Sequence, residues 1–233
     1  MIYVGIDDTD NIDSPGTNQL ARKLVARTAD RFRCRLIVRH QLLLDPRVPY
    51  TSKNSSAALL FDSPADADVD DLIDDLRKGL RELSATGSDP GLCVVTERAP
   101  EEVIQFGRRC QQHVVRQQDA LGVAAEHQIH LEGLGGTNDG LIGALAAVGL
   151  SSTGDDGRVV HIAQWPDDLA GAQCISRLHE RRVEVRRIDT NQRITDGIVD
   201  VGKHLRPNYR DEKVVLFVEP GDSPESWSSV RLL

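Results

Sequence analysis

The stretch Leu141-Ile142-Gly143-Ala144-Leu145-Ala146-Ala147-Val148-Gly149 constrains this chain most. Nine consecutive apolar residues follow a glycine-rich turn, which predicts a helix without a polar face. Such a helix is buried and needs a sheet to pack on, and the first strand is the expected one. It is far shorter than the roughly 18 apolar residues of a membrane span, and no other stretch approaches that length, so no membrane partner is expected.

The segments ahead of it supply that sheet. Ile2-Tyr3-Val4-Gly5-Ile6 reads as a buried strand ending abruptly in Asp7-Asp8-Thr9-Asp10. Residues 17–30 carry Leu20, Leu24 and Val25 at helical spacing after a Ser-Pro-Gly-Thr turn. Residues 32–44 begin with a period of two, Arg31, Arg33 and Arg35 against Phe32, Cys34 and Leu36, which is a strand with one basic face. Residues 57–61 and 92–95 are further strands, with a helix over 69–84 between them. The order is βαββαβ, the split βαβ arrangement of ferredoxin-like folds. One long helix is expected from about Glu101 to Ala125, and a short strand near 129–131.

Ser151–Arg158 is the best linker. The expected organisation is therefore a nucleotide-binding region over 1–152 and a smaller C-terminal α/β domain over 158–233. The second part holds strands at 159–162, 183–185 and 214–218 and a helix near 168–180. The fold class is α/β (α+β), with a ferredoxin-like first part and a buried helix behind a glycine loop.

Charge and cysteine content narrow the class. Net charge is −8, from 28 basic and 36 acidic residues. Seven aspartates lie between Asp62 and Asp75 without a single Lys or Arg, so the remainder is close to neutral and an anionic substrate stays open. Aspartates before Leu72, Ile73 and Leu76 suit a helix start, where the macrodipole is positive. The N-terminus lacks the basic region of a signal peptide and turns acidic at once, which predicts cytoplasmic residence. The four cysteines, at 34, 93, 110 and 174, form no Cys-x-x-Cys pair. They are expected to be small core residues and not a zinc site.

Three segments could carry chemistry. Asp7, Asp8 and Asp10 stand where ligands gather in α/β folds, beyond the carboxyl end of a strand. Carboxylates packed there repel one another unless a cation intervenes. Mg²⁺ suits them, since it is usually held by one or two carboxylates together with substrate phosphates; the alternative is a set of Asx turns. The loop Gly133–Gly140, with Gly135, Gly136, Asn138 and Gly140, feeds a helix and could present backbone N–H groups to an anion. It is neither a Walker A loop nor a dinucleotide fingerprint, and tight packing around the buried helix would also explain it. Between Arg31 and Lys53 there are six Lys or Arg residues and one acid. Arg47, Lys53 and Ser55, with Thr51 and Ser52, could clamp phosphates, or the stretch could be a solvated strand face. His127 and His130 are three apart on an expected strand and so face opposite sides, which argues against shared metal ligation.

Gly5–Asp10, Asp45-Pro46-Arg47-Val48-Pro49-Tyr50 and Gly140–Gly149 together resemble the archaeal tRNA-isoleucine agmatidine synthetases, in order and in rough spacing. Those enzymes use ATP to phosphorylate the C2 carbonyl of a wobble cytidine, and agmatine then displaces the phosphate. They carry a kinase domain, a ferredoxin-like domain, an OB-fold and a zinc ribbon, and the resemblance implies that the first two are represented here. An OB-fold and a zinc ribbon are not expected in this chain, and the sequence departs from the family at three further places. Thr17-Asn18 stands for its Thr-Thr pair, residues 52–56 (Ser-Lys-Asn-Ser-Ser) stand for its Thr-Arg-Gly-Asn-Gly, and Asp139 stands for a basic residue in the glycine loop.

The resemblance implies ATP and Mg²⁺ as cofactors, with a nucleotide and either a tRNA or a small amine such as agmatine as partners. Asp7, Asp8 and Asp10 would hold the metal. Thr17, Asn18, Arg47, Ser55 and the glycine loop would hold nucleotide, and Lys53 would neutralise the transferred phosphoryl group. Two alternatives stand beside this ligase or phosphotransferase. One is a nucleotide- or RNA-binding module without catalysis. The other is a haloacid-dehalogenase-type phosphatase with Asp8 as nucleophile and Asp10 as acid, against which Ile12 stands where that family has Thr.

Overall fold

The computed structural model describes residues 1–50, 53–63, 68–163, 169–223 and 225–232. Thr51, Ser52, Asp66 and the expected start of the helix near 168 lie outside those residues. Two compact units are present, Met1–Thr153 and Gly154 to the C-terminus.

In the first unit the chain runs β1 (Ile2–Asp7), α1 (Thr17–Thr28), β2 (Cys34–Gln41), β3 (Ser55–Phe61), α2 (Val69–Leu83), β4 (Gly91–Val95), α3 (Glu101–Gln112), α4 (Gln117–Glu126), β5 (His130–Gly133) and α5 (Gly140–Ser152). The sheet order is β5-β4-β1-β3-β2, antiparallel at every step. α1 joins β1 to β2 across β3, and α2 joins β3 to β4 across β1, which is the interleaved split βαβ pattern expected from the order of elements. α2 starts where the acids predict: Asp68 is the N-cap and accepts the Asp70 N–H at 3.0 Å.

The alternation of β1 sorts its two faces. Ile2, Val4 and Ile6 are fully buried on the side where α1 packs. Tyr3, Gly5 and Asp7 turn to the other side, toward α5. A Cβ on Gly5 would run into the carbonyl of Ala144, and one on Gly149 into the carbonyl of Val103 in α3. α5 is thus pressed between the sheet and α3, and its residues are buried on all sides save Ile142. That explains the missing polar face, and small residues are what allow backbones to approach so closely.

The single helix expected over 101–125 is in fact two. His113 ends α3 in extended backbone, its N–H returning to the Arg109 carbonyl at 2.7 Å, and Gln117 begins α4. The intervening Val114-Val115 is β-branched and poorly suited to a helix interior. The expected linker also begins later, because Ser151 and Ser152 are buried residues of α5. Ser152 Oγ accepts the Ala99 N–H at 3.1 Å.

The second unit is smaller and richer in strand than expected. It contains β6 (Arg158–Ile162), β7 (Ala172–Cys174), α6 (Ile175–Glu180), β8 (Val183–Arg187), β9 (Arg193–Ile194), β10 (Ile198–Asp200), β11 (Asn208–Arg210), β12 (Lys213–Pro220) and β13 (Ser226–Ser229). β12 is its centre, parallel to β8 and antiparallel to β11 and β13. Arg186 is nearly buried there and is paired with Glu184 at 2.7 Å and with Asp211.

Cys34, Cys93 and Cys110 are buried free thiols, as expected of core residues, whereas Cys174 is exposed. Burial pushes the thiols of Cys34 and Cys110 up to about 12. His127 and His130 stand apart: His127 caps α4 and faces Glu102, while His130 lies on β5 and contacts Glu132.

Candidate functional site

β1 delivers its last residue, Asp7, to the α5 face by strand parity. Gly143 is the α5 residue opposite, and a Cβ there would fall on Oδ2 of Asp7. The chain leaves the strand at Asp8 with φ +50°, a left-handed conformation that aspartate tolerates better than most residues. The backbone N–H of Asp8 favours the charged form of the Asp7 carboxyl group, and that of Asp89 the charged form of Asp8. Two residues on, Asp10 accepts the Thr17 hydroxyl at 3.1 Å, and the buried Thr9 hydroxyl donates to Thr17 at 3.2 Å. The acidic strand end is therefore tied to the first turn of α1. The turn after it is built by Asn11, whose Oδ1 accepts the Asp13 N–H at 3.1 Å.

A cavity of about 310 Å³ opens at this strand end. Asp7, Asp8, Asp10 and Asp139 give it acidic walls, and Arg47, Lys53 and His113 bring basic groups. Leu42, Leu43, Val48, Val114, Val115 and Ile142 supply apolar surface. Such a mixture, largely apolar with a few convergent polar groups, is what small-ligand sites usually show.

The electrostatics follow from burial and crowding. Loss of water, with Asp8 and Asp10 close by, holds the Asp7 carboxyl well above its ordinary range. Asp8 is pushed up to about 6, first by burial and then by the charges of Asp89, Asp10 and Asp139. Asp45 behaves oppositely. Its two oxygens accept Nε and Nη2 of Arg47, both at 2.8 Å, and it is held down at about 2. Arg47 is thereby aimed by a neighbour two residues away.

Of the residues singled out in the sequence, Asp7, Asp8, Asp10, Arg47, Lys53 and Ser55 line this one cavity. Thr17 joins it through Asp10, while Asn18 does not line it. The glycine loop comes close: a Cβ on Gly140 would stand 3.1 Å from the Asp7 carbonyl. Yet Gly135, Gly136, Asn138 and Gly140 are not in the lining, and several loop amides turn inward. Asn138 N–H bonds Gly135, Gly140 bonds Asp89, Leu141 bonds Asn138 and Ile142 bonds Asp139. Asp139 does reach the cavity, and Gln117 holds it from the start of α4, with Nε2 at 2.5 Å from Oδ1. Sequence reasoning missed His113–Val115, Gly143 and Asp89. The first were hidden inside an expected helix. Asp89 sits in a Ser-Asp-Pro turn whose only signal is turn chemistry.

The donor set is all oxygen and short of positive charge, which suits Mg²⁺. As placed, no three of the described His, Cys, Asp or Glu residues form a group able to hold a metal ion. A cation here would be held by no more than two of Asp7, Asp8 and Asp10, with ligand oxygens completing its shell. No described helix is long and apolar enough to cross a membrane.

No family model matches the chain. The tRNA(Ile2) 2-agmatinylcytidine synthetase TiaS of Thermococcus sibiricus is 30% identical over 153 residues, 64% of this chain and 35% of that protein. The crystal structure of a TiaS–tRNA(Ile2)–ATP complex matches with a TM-score of 0.56 at 27% identity, over 64% of this chain and 36% of that one. Over that stretch the chain is TiaS-like. A TiaS–tRNA(Ile2)–AMPCPP–agmatine complex matches with a TM-score of 0.53 at 26% identity, and a tRNA fluorescent labelling enzyme with 0.55 at 28%. The chain spans little more than a third of the length of these TiaS relatives.

Proposed function

We propose that the first unit is an ATP-using, TiaS-like catalytic module that activates a carbonyl of a nucleobase or small molecule by phosphorylation. The observation that carries this reading is the convergence of Asp7, Asp8, Asp10, Arg47, Lys53 and Ser55 on one cavity. The chain's likeness to TiaS crystallised with ATP and with AMPCPP supports it. Phosphoryl transfer asks mainly for positioning and charge neutralisation. One or two of the strand-end aspartates would hold Mg²⁺, which when bound would neutralise phosphate oxygens. Arg47, kept in place by Asp45, and Lys53 would face the transferred group. The apolar wall of Val48, Val114 and Val115 would keep water from it.

A tRNA is the acceptor in the fullest form of this reading, with agmatine as the amine. The test is turnover of ATP by the purified full chain with Mg²⁺, alone and with tRNA(Ile2), free cytidine or agmatine. Acceptor-dependent ADP or AMP release, lost in Asp8→Asn, is the expected result. Nucleotide binding without turnover under any of these conditions would favour the second reading, a binding module that has lost catalysis. The departures at Asn18, Ser55 and Asp139 motivate that alternative. A phosphatase reading rests on Asp8 and Asp10 alone.

A further inference from the structure

Asp89 lies behind the cavity wall, in the turn between α2 and β4, yet it touches both halves of the site. Its N–H and its carboxylate both act on the Asp8 carboxyl group, the first favouring the charged form and the second opposing it. Its carbonyl accepts the Gly140 N–H at 3.2 Å, where α5 begins. Its carboxylate accepts the Thr137 hydroxyl and fills the space above Gly136, where a Cβ would overlap Oδ1. Gly136 has φ +49°, so a side chain there would be strained as well as crowded. Pro90 adds a fourth tie, its carbonyl accepting the Leu134 N–H at 2.7 Å. The place that a glycine loop can offer to an anion is therefore held by the protein's own carboxylate.

We propose that Asp89 is a positioning residue, whose backbone carbonyl holds the start of α5 and whose carboxylate fixes the turn 135–140, so that the start of α5 keeps one spacing from the acidic strand end across the cavity. This rests on the reading of the cavity as a nucleotide site. Its consequence is that the glycine loop shapes the site through Asp89 and does not itself cradle phosphate. The backbone bonds survive any substitution, so the side chain can be tested separately. Asparagine keeps an acceptor for Thr137 and the same volume. Alanine removes both.

The test uses the full chain and Asp89→Ala, Asp89→Asn, Thr137→Val and the Ala/Val double variant. Amide hydrogen exchange is read without nucleotide, and affinity for ATP with Mg²⁺ by calorimetry. Asp89→Ala and Thr137→Val should each speed exchange at residues 138–142 while leaving β1 protected. Each should weaken nucleotide binding about tenfold, the loss of one hydrogen bond to a charged group. The double variant should be no worse than either single, because both remove the same contact. Asp89→Asn should stay within about threefold of wild type on the same arithmetic. Unchanged loop exchange in both single variants, an additive double variant, or Asp89→Asn as weak as Asp89→Ala would overturn the proposal. If Asp89→Ala fails to fold, Thr137→Val and Asp89→Asn carry the comparison. Should wild type bind no nucleotide while the variants still free the loop amides, the nucleotide reading falls and the tie stands.

Discussion

Gly143 of α5 lies directly against the carboxyl group of Asp7, so closely that a Cβ on the glycine would occupy the position of Oδ2. Two elements far apart in sequence thus meet with no room for a methyl group, at the residue where the first strand ends. Gly143→Ala sets two effects against each other. Alanine is favoured over glycine in a helix interior by about 1 kcal/mol, but here it must displace a short, half-buried acid. The fold should survive, with a melting temperature within about 4 °C of wild type, while affinity for ATP with Mg²⁺ drops at least about tenfold. A cooperative melt beside unchanged calorimetry would show that Asp7 has no part in binding.

Asp8 gives a pH dependence with a definite sign. Its folded value of about 6 lies above its ordinary 3.8, so between those values the folded protein holds a proton the unfolded chain has lost. Stability contributed by this group is present below pH 4, declines as pH rises through 6 and is flat beyond. Asp8→Asn keeps the side-chain shape and removes the charge. In metal-free buffer the variant should be more stable than wild type at pH 7 by about 1 kcal/mol, after discount for solvent screening, and equal to it at pH 4. Denaturant melts at the two pH values measure this. A variant less stable than wild type at pH 7 would contradict the account of the crowded acids.

Asp139 puts a negative charge in the cavity where ligand phosphates are proposed to lie. Asp139→Asn retains an acceptor for Gln117 and relieves that repulsion. Affinity for ATP in the presence of a chelator should rise about threefold or more, and affinity with excess Mg²⁺ should change less. Equal changes in both conditions would place Asp139 outside the phosphate field.

The basic strand face expected from Arg31, Arg33 and Arg35 does not form as such, because β2 begins only at Cys34 and its register shifts between Cys34 and Leu36, and the three arginines are engaged by acids. Arg31 is paired with Asp71 and Asp75, and Arg33 and Arg35 with Asp62. Acids of the run thus offset the charge of the arginines at and just before the start of β2. RNA binding by this chain should be weak at physiological salt, with a Kd no tighter than about 10⁻⁶ M, and should fall steeply as salt rises. A filter-binding or anisotropy titration of tRNA over 50–200 mM salt tests it. A tight complex across that whole range would mean that a different surface carries the contact.

Much of the first unit could be read from its residues, because each signal there is local and strong. An apolar strand stops dead at three acids, two split βαβ units alternate in order, and a helix without a polar face can only be buried. The break between α3 and α4 was not legible: Val103, Gly107, Cys110 and Val114 continue one helical stripe straight through it, so periodicity runs on where the backbone turns extended. The pairing of Asp62 with Arg33 and Arg35 joins charges nearly thirty residues apart, which composition reports only as two opposite runs. Asp89 acts through its backbone as much as its side chain, and no spacing rule marks that. In the second unit β7, β9, β10 and β11 are two or three residues long, too short for alternation to declare them.

The central claim is that the cavity at the end of β1 binds nucleotide. Calorimetric titration of the full chain with ATP and Mg²⁺, beside Asp8→Asn and Lys53→Ala, tests it most directly. The account predicts a single site in wild type, weakened about tenfold or more in each variant, with melting behaviour showing all three folded. Absence of binding by folded wild type at millimolar ATP, or binding that neither substitution alters, would contradict it.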